Sequence, residues 1–124
     1  MQTCYVPMTC NILVLGHIKL LEKLEQKQYD IIVGLLTAKA LKGYKKELVP
    51  FKDRKYILET LSLPIRIVPQ DSLDPTVNLK KYKPDVLVSG DGFEPSEKES
   101  AKKLGVKLLN IKSGCKLHSS SIKQ

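Results

Sequence analysis

Gly16 and His17 stand where an irregular stretch, MTCNILVLG, gives way to the helical pattern HIKLLEKLEQ, and His17 is one of only two histidines in the chain. A glycine at that point lets the backbone approach a bound group. A helix N-terminus adds unpaired N–H groups and the positive end of the helix dipole, both of which favour an anion. An imidazole in that setting suits a phosphate; its bland alternative is a side chain that caps or packs at the helix edge. The overall charge agrees with an anionic ligand. Twenty-one Lys and Arg against 13 Asp and Glu give +8, which attracts phosphates, nucleotides, nucleic acid or anionic lipid without choosing among them. Cys4, Cys10 and Cys115 form no C-x-x-C pair and leave an odd thiol. That argues against a disulfide framework and against a zinc site, and points to a reducing cytoplasm. No metal held by the protein itself is expected.

The elements that must position these residues follow from hydrophobic periodicity. With 124 residues, 42% of them hydrophobic, the chain suits one domain, residues 1–124, with a real core. A weak first strand covers Cys4–Val6 and ends at Pro7, which cannot donate to a ladder. Ile18, Leu21 and Leu24 then mark an amphipathic helix. DIIVGLL, from Asp30, is a continuous β-branched run of the kind found in strands covered on both faces. After a basic connector, FKDRKYILETL places Phe51, Ile57, Leu58 and Leu61 on one helical stripe. IRIVP is the third strand, and Asp74 before Pro75 predicts an N-cap with proline at the first position of a short helix. DVLVSG is the fourth strand. Ser96–Glu99 reads as a capping box that opens a helix closed by Gly105, VKLLNI is the fifth strand, and a helical turn starts near Ser119.

Strand and helix alternating five times predict an α/β fold: a single Rossmann-like domain whose five-stranded parallel sheet carries helices on both faces. Ligand sites of such sheets lie at the carboxyl ends of the strands, here the loops Pro7–Gly16, Leu36–Lys46, Pro69–Asp74, Ser89–Pro95 and Lys112–Ser121. No stretch approaches the ~20 apolar residues needed to cross a bilayer, so no membrane span is expected. The N-terminus lacks the basic flank and apolar run of a leader, so a soluble, unprocessed chain is expected.

Five segments in order resemble the cytidylyltransferase branch of the nucleotidyltransferases. MTCNILVLGHIKLLEKL is similar to that family's strand–loop–helix with its H-x-G-H motif, and IIVGLLTAKAL to its second strand and following loop. DRKYILETL resembles the R-x-x-x-[LIV]-E helix, VPQDSLDPTVNLKKYKPDVLVSGDGF the stretch ending in G-D-D-W, and HSSSIK the closing I-S-[ST]-T-x-[IL] signature. The resemblance is strongest to enzymes that join CTP to glycerol 3-phosphate and to those acting on phosphoethanolamine-like or phosphonate substrates. It implies transfer of a cytidylyl group from CTP, with ATP as the other candidate nucleotide, to a small phosphomonoester or phosphonate with loss of pyrophosphate. Mg²⁺ would be carried by the nucleotide. Family members often dimerise, so a homodimer is implied too.

The resemblance also implies roles. His17 matches the second histidine of H-x-G-H and Thr9 a hydroxyl of the first loop; Lys42 and Lys45 fall where phosphate-contacting lysines stand. His17 and Lys45 would act in catalysis. Arg54 matches the arginine of the next helix and would contact substrate or phosphate, Gly90 and Asp91 match the start of G-D-D-W beside base and ribose, and Gly16 stands as the close-approach glycine. Ser119 and Ser120 keep the hydroxyls of the closing signature, with Lys112 or Lys116 as a substitute for a lost arginine charge and Lys116 as a substrate or phosphate contact. Departures are as informative. Val14 replaces the first histidine, Asn11 an acidic residue, Gly92 the second acid of G-D-D-W, Phe93 its tryptophan, Ser113 an arginine and His118 a serine.

Other readings of the same residues stay open. Lys42, Lys45 and Lys46 also read as a solvated charge run, Gly90–Asp91–Gly92 as a tight turn and Ser119–Ser121 as a terminal cap. Two functional outcomes follow: an active transferase, or a paralogue that keeps the nucleotide- and phosphate-binding site without turnover. Nucleic acid ranks last as a partner, because the basic stripe Lys42–Lys55 is interleaved only with Tyr44, Phe51 and Tyr56.

Overall fold

The computed structural model describes residues 1–10, 15–42, 49–90 and 92–111. Strands β1 (Thr3–Met8), β2 (Asp30–Leu36), β3 (Ile65–Gln70), β4 (Val86–Ser89) and β5 (Lys107–Asn110) form one sheet of order β3-β2-β1-β4-β5, every pair parallel. Helices α1 (Leu15–Gln26), α2 (Ala38–Leu41), α3 (Phe51–Glu59), α4 (Thr76–Tyr82) and α5 (Pro95–Leu104) run between the strands. Strand alternation divides the core. Cys4, Val6, Met8, Ile31, Val33, Leu35, Val86 and Val88 pack with Leu20, Leu21 and Leu24 of α1 and Leu58 of α3. The intervening residues Tyr5, Ile32, Val68 and Leu87 pack with Leu79 of α4 and Ala101 of α5. Helices therefore cover both faces, as the alternation predicts, because a strand buried on both sides has no polar face to turn to water.

Local signals and structure agree at several ends and differ at others. Gly105 closes α5 at φ 71, a left-handed geometry that only glycine adopts without strain, and the next amide, Val106 N–H, returns to the Ala101 carbonyl at 2.8 Å. The α5 capping box lies two residues before the expected position: Glu97 accepts the Glu94 N–H at 2.8 Å. The reason is Pro95, whose fixed φ and missing donor suit the first helical turn. Asp74 accepts the Thr76 N–H at 2.8 Å, but the cap position of α4 falls on Pro75 rather than Asp74 and the helix starts at Thr76. Within the basic connector, Thr37 caps the short helix α2 through its hydroxyl.

The expected stripe of α3 is also revised. Ile57 is 39% exposed, and the buried position between Phe51 and Leu58 belongs to Arg54.

Pro7 lies inside β1 rather than at its end. Thr3 turns both backbone groups toward Asp85, its N–H donating to the carboxylate and its carbonyl accepting from the Asp85 N–H. Alternation then points the backbone groups of Tyr5 and Pro7 to the same side. The β1–β4 ladder stops at Tyr5–Leu87, whereas β1–β2 continues to Met8–Leu35. The donor that Pro7 lacks thus falls where no strand asks for it, and β1 and β4 part at this point.

Candidate functional site

The parting of β1 and β4 is the switch point of the sheet, where connections leave toward opposite edges and ligand crevices form. A cavity of about 490 Å³ opens there. Among the described residues, β1 and the loop after it supply Pro7, Met8 and Thr9 to its wall. Leu36 comes from the end of β2, Leu73 and Asp74 from the turn before α4, and Glu94, Ser96 and Glu97 from the start of α5. Its lining mixes apolar side chains with three carboxylates, each already engaged: Asp74 with Thr76, Glu97 with the Glu94 N–H, and Glu94 with the Glu97 N–H in the same capping box.

Of the residues singled out by sequence, Thr9 lines this cavity, half-buried. Gly16 and His17 occupy the first turn of α1, Gly16 buried and His17 half-buried. Gly16 is therefore a helical residue rather than a loop residue before the helix. Gly90 follows β4 beside α1. A methyl group added to it would lie 3.9 Å from Leu20 Cδ2 and 3.6 Å from the Ile111 carbonyl. Lys42 ends α2 and is exposed. Thr9 and Gly90 thus follow the carboxyl ends of β1 and β4, and His17 lies in the first turn of the helix after β1; of the three, Thr9 is on the cavity wall. Lys45, Asp91, Lys116, Ser119 and Ser120 lie outside the described residues, as do Asn11, Val14, Lys112, Ser113 and His118.

Arg54 is placed beneath the rim, not on the cavity wall. It is fully buried. Its Nε donates to the Val49 carbonyl at 2.8 Å, and its Nη1 to the carbonyls of Thr9 at 2.8 Å and Leu36 at 2.5 Å. The guanidinium also lies 5.7 Å from the centroid of the Phe51 ring, within cation–π range. One planar cation therefore ties three backbone segments together, two of which line the cavity.

Its charge is felt nearby. Burial pushes the Cys10 thiol up to about 12, with the Arg54 charge pulling the other way, and burial likewise pushes Cys4 up to about 12. Both thiols stay protonated and unreactive near neutral pH. Cys10 also turns the backbone at φ 54 as the chain leaves β1, an uncommon conformation for a residue with a side chain.

Leu73, Asp74, Glu94, Ser96 and Glu97 were not singled out in the sequence as site residues. The rule that places ligand sites at the carboxyl rim marks the loops of Leu73, Asp74 and Glu94, but which side chains turn inward depends on strand order.

Sheet order and helix placement define a doubly wound parallel α/β protein with a crevice at its switch point. The chain belongs to the cytidylyltransferase-like family, which it matches over residues 9–124. It is 32% identical to glycerol-3-phosphate cytidylyltransferase of Bacillus spizizenii over 88 residues, 69% of this chain and 68% of that enzyme. It is 34% identical to the bifunctional protein HldE of a Nitratiruptor species over 90 residues, 70% of this chain. The match takes in 20% of that HldE. Among solved structures, a lipopolysaccharide core biosynthesis protein from Thermoplasma volcanium shares the fold with a TM-score of 0.74 at 24% identity, covering 90% of this chain and 96% of that one. Family membership makes nucleotidyl transfer the general class of chemistry. Among the described residues no helix is long and apolar enough to cross a membrane.

Proposed function

We propose that the chain transfers a cytidylyl group from CTP to a small phosphorylated alcohol or a phosphonate, with release of pyrophosphate. The observation that carries this reading is the cavity of about 490 Å³ at the switch point, with Thr9 on its wall and the first turn of α1 following the same loop. In the reaction an oxygen of the acceptor phosphate attacks the α-phosphorus in line. The new P–O bond forms as the bond to the β-phosphate oxygen breaks, and pyrophosphate departs with that electron pair. Such a transfer asks the protein for positioning and for stabilisation of charge on the phosphoryl oxygens rather than for covalent work.

His17 donates to those oxygens from the first turn of α1, assisted by the N–H groups of that turn. Lys42 and Lys45 bring point charges to the triphosphate, while Lys116, Ser119 and Ser120 meet its phosphates from the end of the chain. Gly90 and Asp91 lie beside base and ribose. Arg54 acts from below, holding the carbonyls of Thr9 and Leu36 so that their segments keep the cavity open. Among the described residues no group of three or more His, Cys, Asp or Glu is gathered for a metal ion. Magnesium in this reading is held by the triphosphate oxygens, and when bound it supplies charge neutralisation there.

Val14 in place of the family's first histidine favours one competing reading, a module that binds nucleotide without turnover. The purified protein, given CTP or ATP, magnesium and a panel of phosphomonoesters and phosphonates, is expected to release pyrophosphate with CTP. His17→Ala is expected to lower kcat by about 10²–10³-fold, the cost of one transition-state donor. CTP binding with no pyrophosphate from any acceptor would replace the enzyme reading with the binding one.

A further inference from the structure

The glycine inside the β-branched run of β2 has a partner far away in sequence. A methyl group on Gly34 would lie 1.9 Å from the Tyr5 hydroxyl oxygen and 2.8 Å from Gln70 Oε1. Tyr5 therefore crosses β2 at the residue that has no side chain, which lets a ring rooted in the central strand β1 reach the far end of β3. Tyr5 is fully buried there, and Gln70 and Asn78 are buried with it.

The three side chains form a directed chain of hydrogen bonds. Asn78 Nδ2 donates to the Tyr5 hydroxyl at 2.8 Å and to the Pro69 carbonyl at 2.9 Å, and the Tyr5 hydroxyl donates to Gln70 Oε1 at 2.6 Å. Gln70 Nε2 then donates to the carbonyls of Ser72 at 2.9 Å and Leu73 at 3.3 Å. Those carbonyls only accept, so the orientation of the Gln70 amide is set by its partners. The chain ends on the turn of residues 71–74, which is exposed at Asp71, Ser72 and Leu73. That turn gives Leu73 and Asp74 to the cavity wall. The opposite wall, Pro7 to Thr9, is β1 itself and its continuation.

We propose that Tyr5, Gln70 and Asn78 are positioning residues that hold the 71–74 turn at a set distance from β1, and so determine how tightly the acceptor is held in the cavity. The inference rests on the functional reading above for its substrate. The physical argument is that both walls take their position from one strand, one through the chain and the other through the Tyr5 ring. Without the trio, the Ser72 and Leu73 carbonyls lose the buried donor that ties them to the sheet, and the turn is left with surface hydrogen bonds such as Thr37 to Asp71 and Ser72 to the Asp74 carbonyl.

Two variants test this with the full chain. Tyr5→Phe removes the hydroxyl and keeps the ring; Gln70→Glu keeps an acceptor for Tyr5 and removes both donors to the turn. In each, the backbone 15N order parameters of residues 71–74 are expected to fall from the rigid range of about 0.85 to below about 0.6, with those of β1 and β2 unchanged. The acceptor KM is expected to rise about tenfold with kcat held within about twofold. Unchanged order parameters in the turn would overturn the proposal. So would an equal fall throughout the sheet, or a loosened turn with an unaltered KM. If the wild-type chain releases no pyrophosphate, the functional reading falls on its own, and the order parameters still decide whether the trio holds the turn.

Discussion

The two faces of the sheet meet the same problem at the carboxyl rim, keeping loops in place with buried polar groups, and they meet it differently. On the face covered by α1 and α3 the device is a single cation, Arg54, which donates to three carbonyls from Val49, Thr9 and Leu36. On the face covered by α4 and α5 it is the neutral trio of Tyr5, Gln70 and Asn78. A buried charge is costly to leave without partners, and three backbone carbonyls that lose their donor are costly as well. The cation therefore locks its segments to the global fold. The neutral trio carries smaller penalties, so its loss acts chiefly on the turn it holds. One rim is thereby tied firmly where β1 and β2 end and more lightly where the turn before α4 closes the cavity.

The largest effect that would sharpen this contrast is at the cation. Arg54→Met is expected to destabilise the fold by about 3–5 kcal/mol, read as the shift of the urea midpoint at constant slope. A loss under about 1 kcal/mol would break the comparison at its stronger side. Gly34→Ala comes next. The added methyl overlaps the Tyr5 hydroxyl, and the expected cost is about 2–3 kcal/mol by the same measurement, a typical figure for overpacking. An alanine tolerated without loss would mean that Tyr5 does not need its passage across β2.

The smallest effect separates the faces by pH. Cys4 and Cys10 belong to the α1/α3 face, and burial raises both thiols to about 12. A thiol held neutral in the fold contributes stability that is fully present below its unfolded pKa near 9, and that is lost as pH rises toward about 12. At pH 10 the loss is on the order of 1 kcal/mol per thiol. Cys10→Ala should flatten the fall in unfolding free energy between pH 8 and pH 10, and an unchanged slope would count against this account of its burial.

Much of the framework was legible because its causes are local. A buried β-branched run, an aspartate two residues before a helical amide and a glycine at a helix end act over a few residues, and DIIVGLL, Asp74 and Gly105 behave as their neighbours in sequence require. The misplaced details have a common origin. Ser96 to Glu99 has the right letters for a capping box, yet Pro95 starts the helix earlier; Ile57 fits the helical stripe, yet Arg54 takes the inward position. In each case two local signals compete, and the winner depends on what the rest of the molecule places opposite.

Sequence alone was enough for the alternation of strands and helices, for the family and for the carboxyl rim whose wall includes Thr9, because periodicity and motif spacing are properties of neighbouring residues. Only the tertiary structure decided that Pro7 faces a side of β1 where the β4 ladder has ended, that Arg54 serves backbone carbonyls, and that Gly34 makes way for Tyr5. Those outcomes depend on partners tens of residues away, and a chain written in one dimension carries no mark of which distant residues will meet across a sheet.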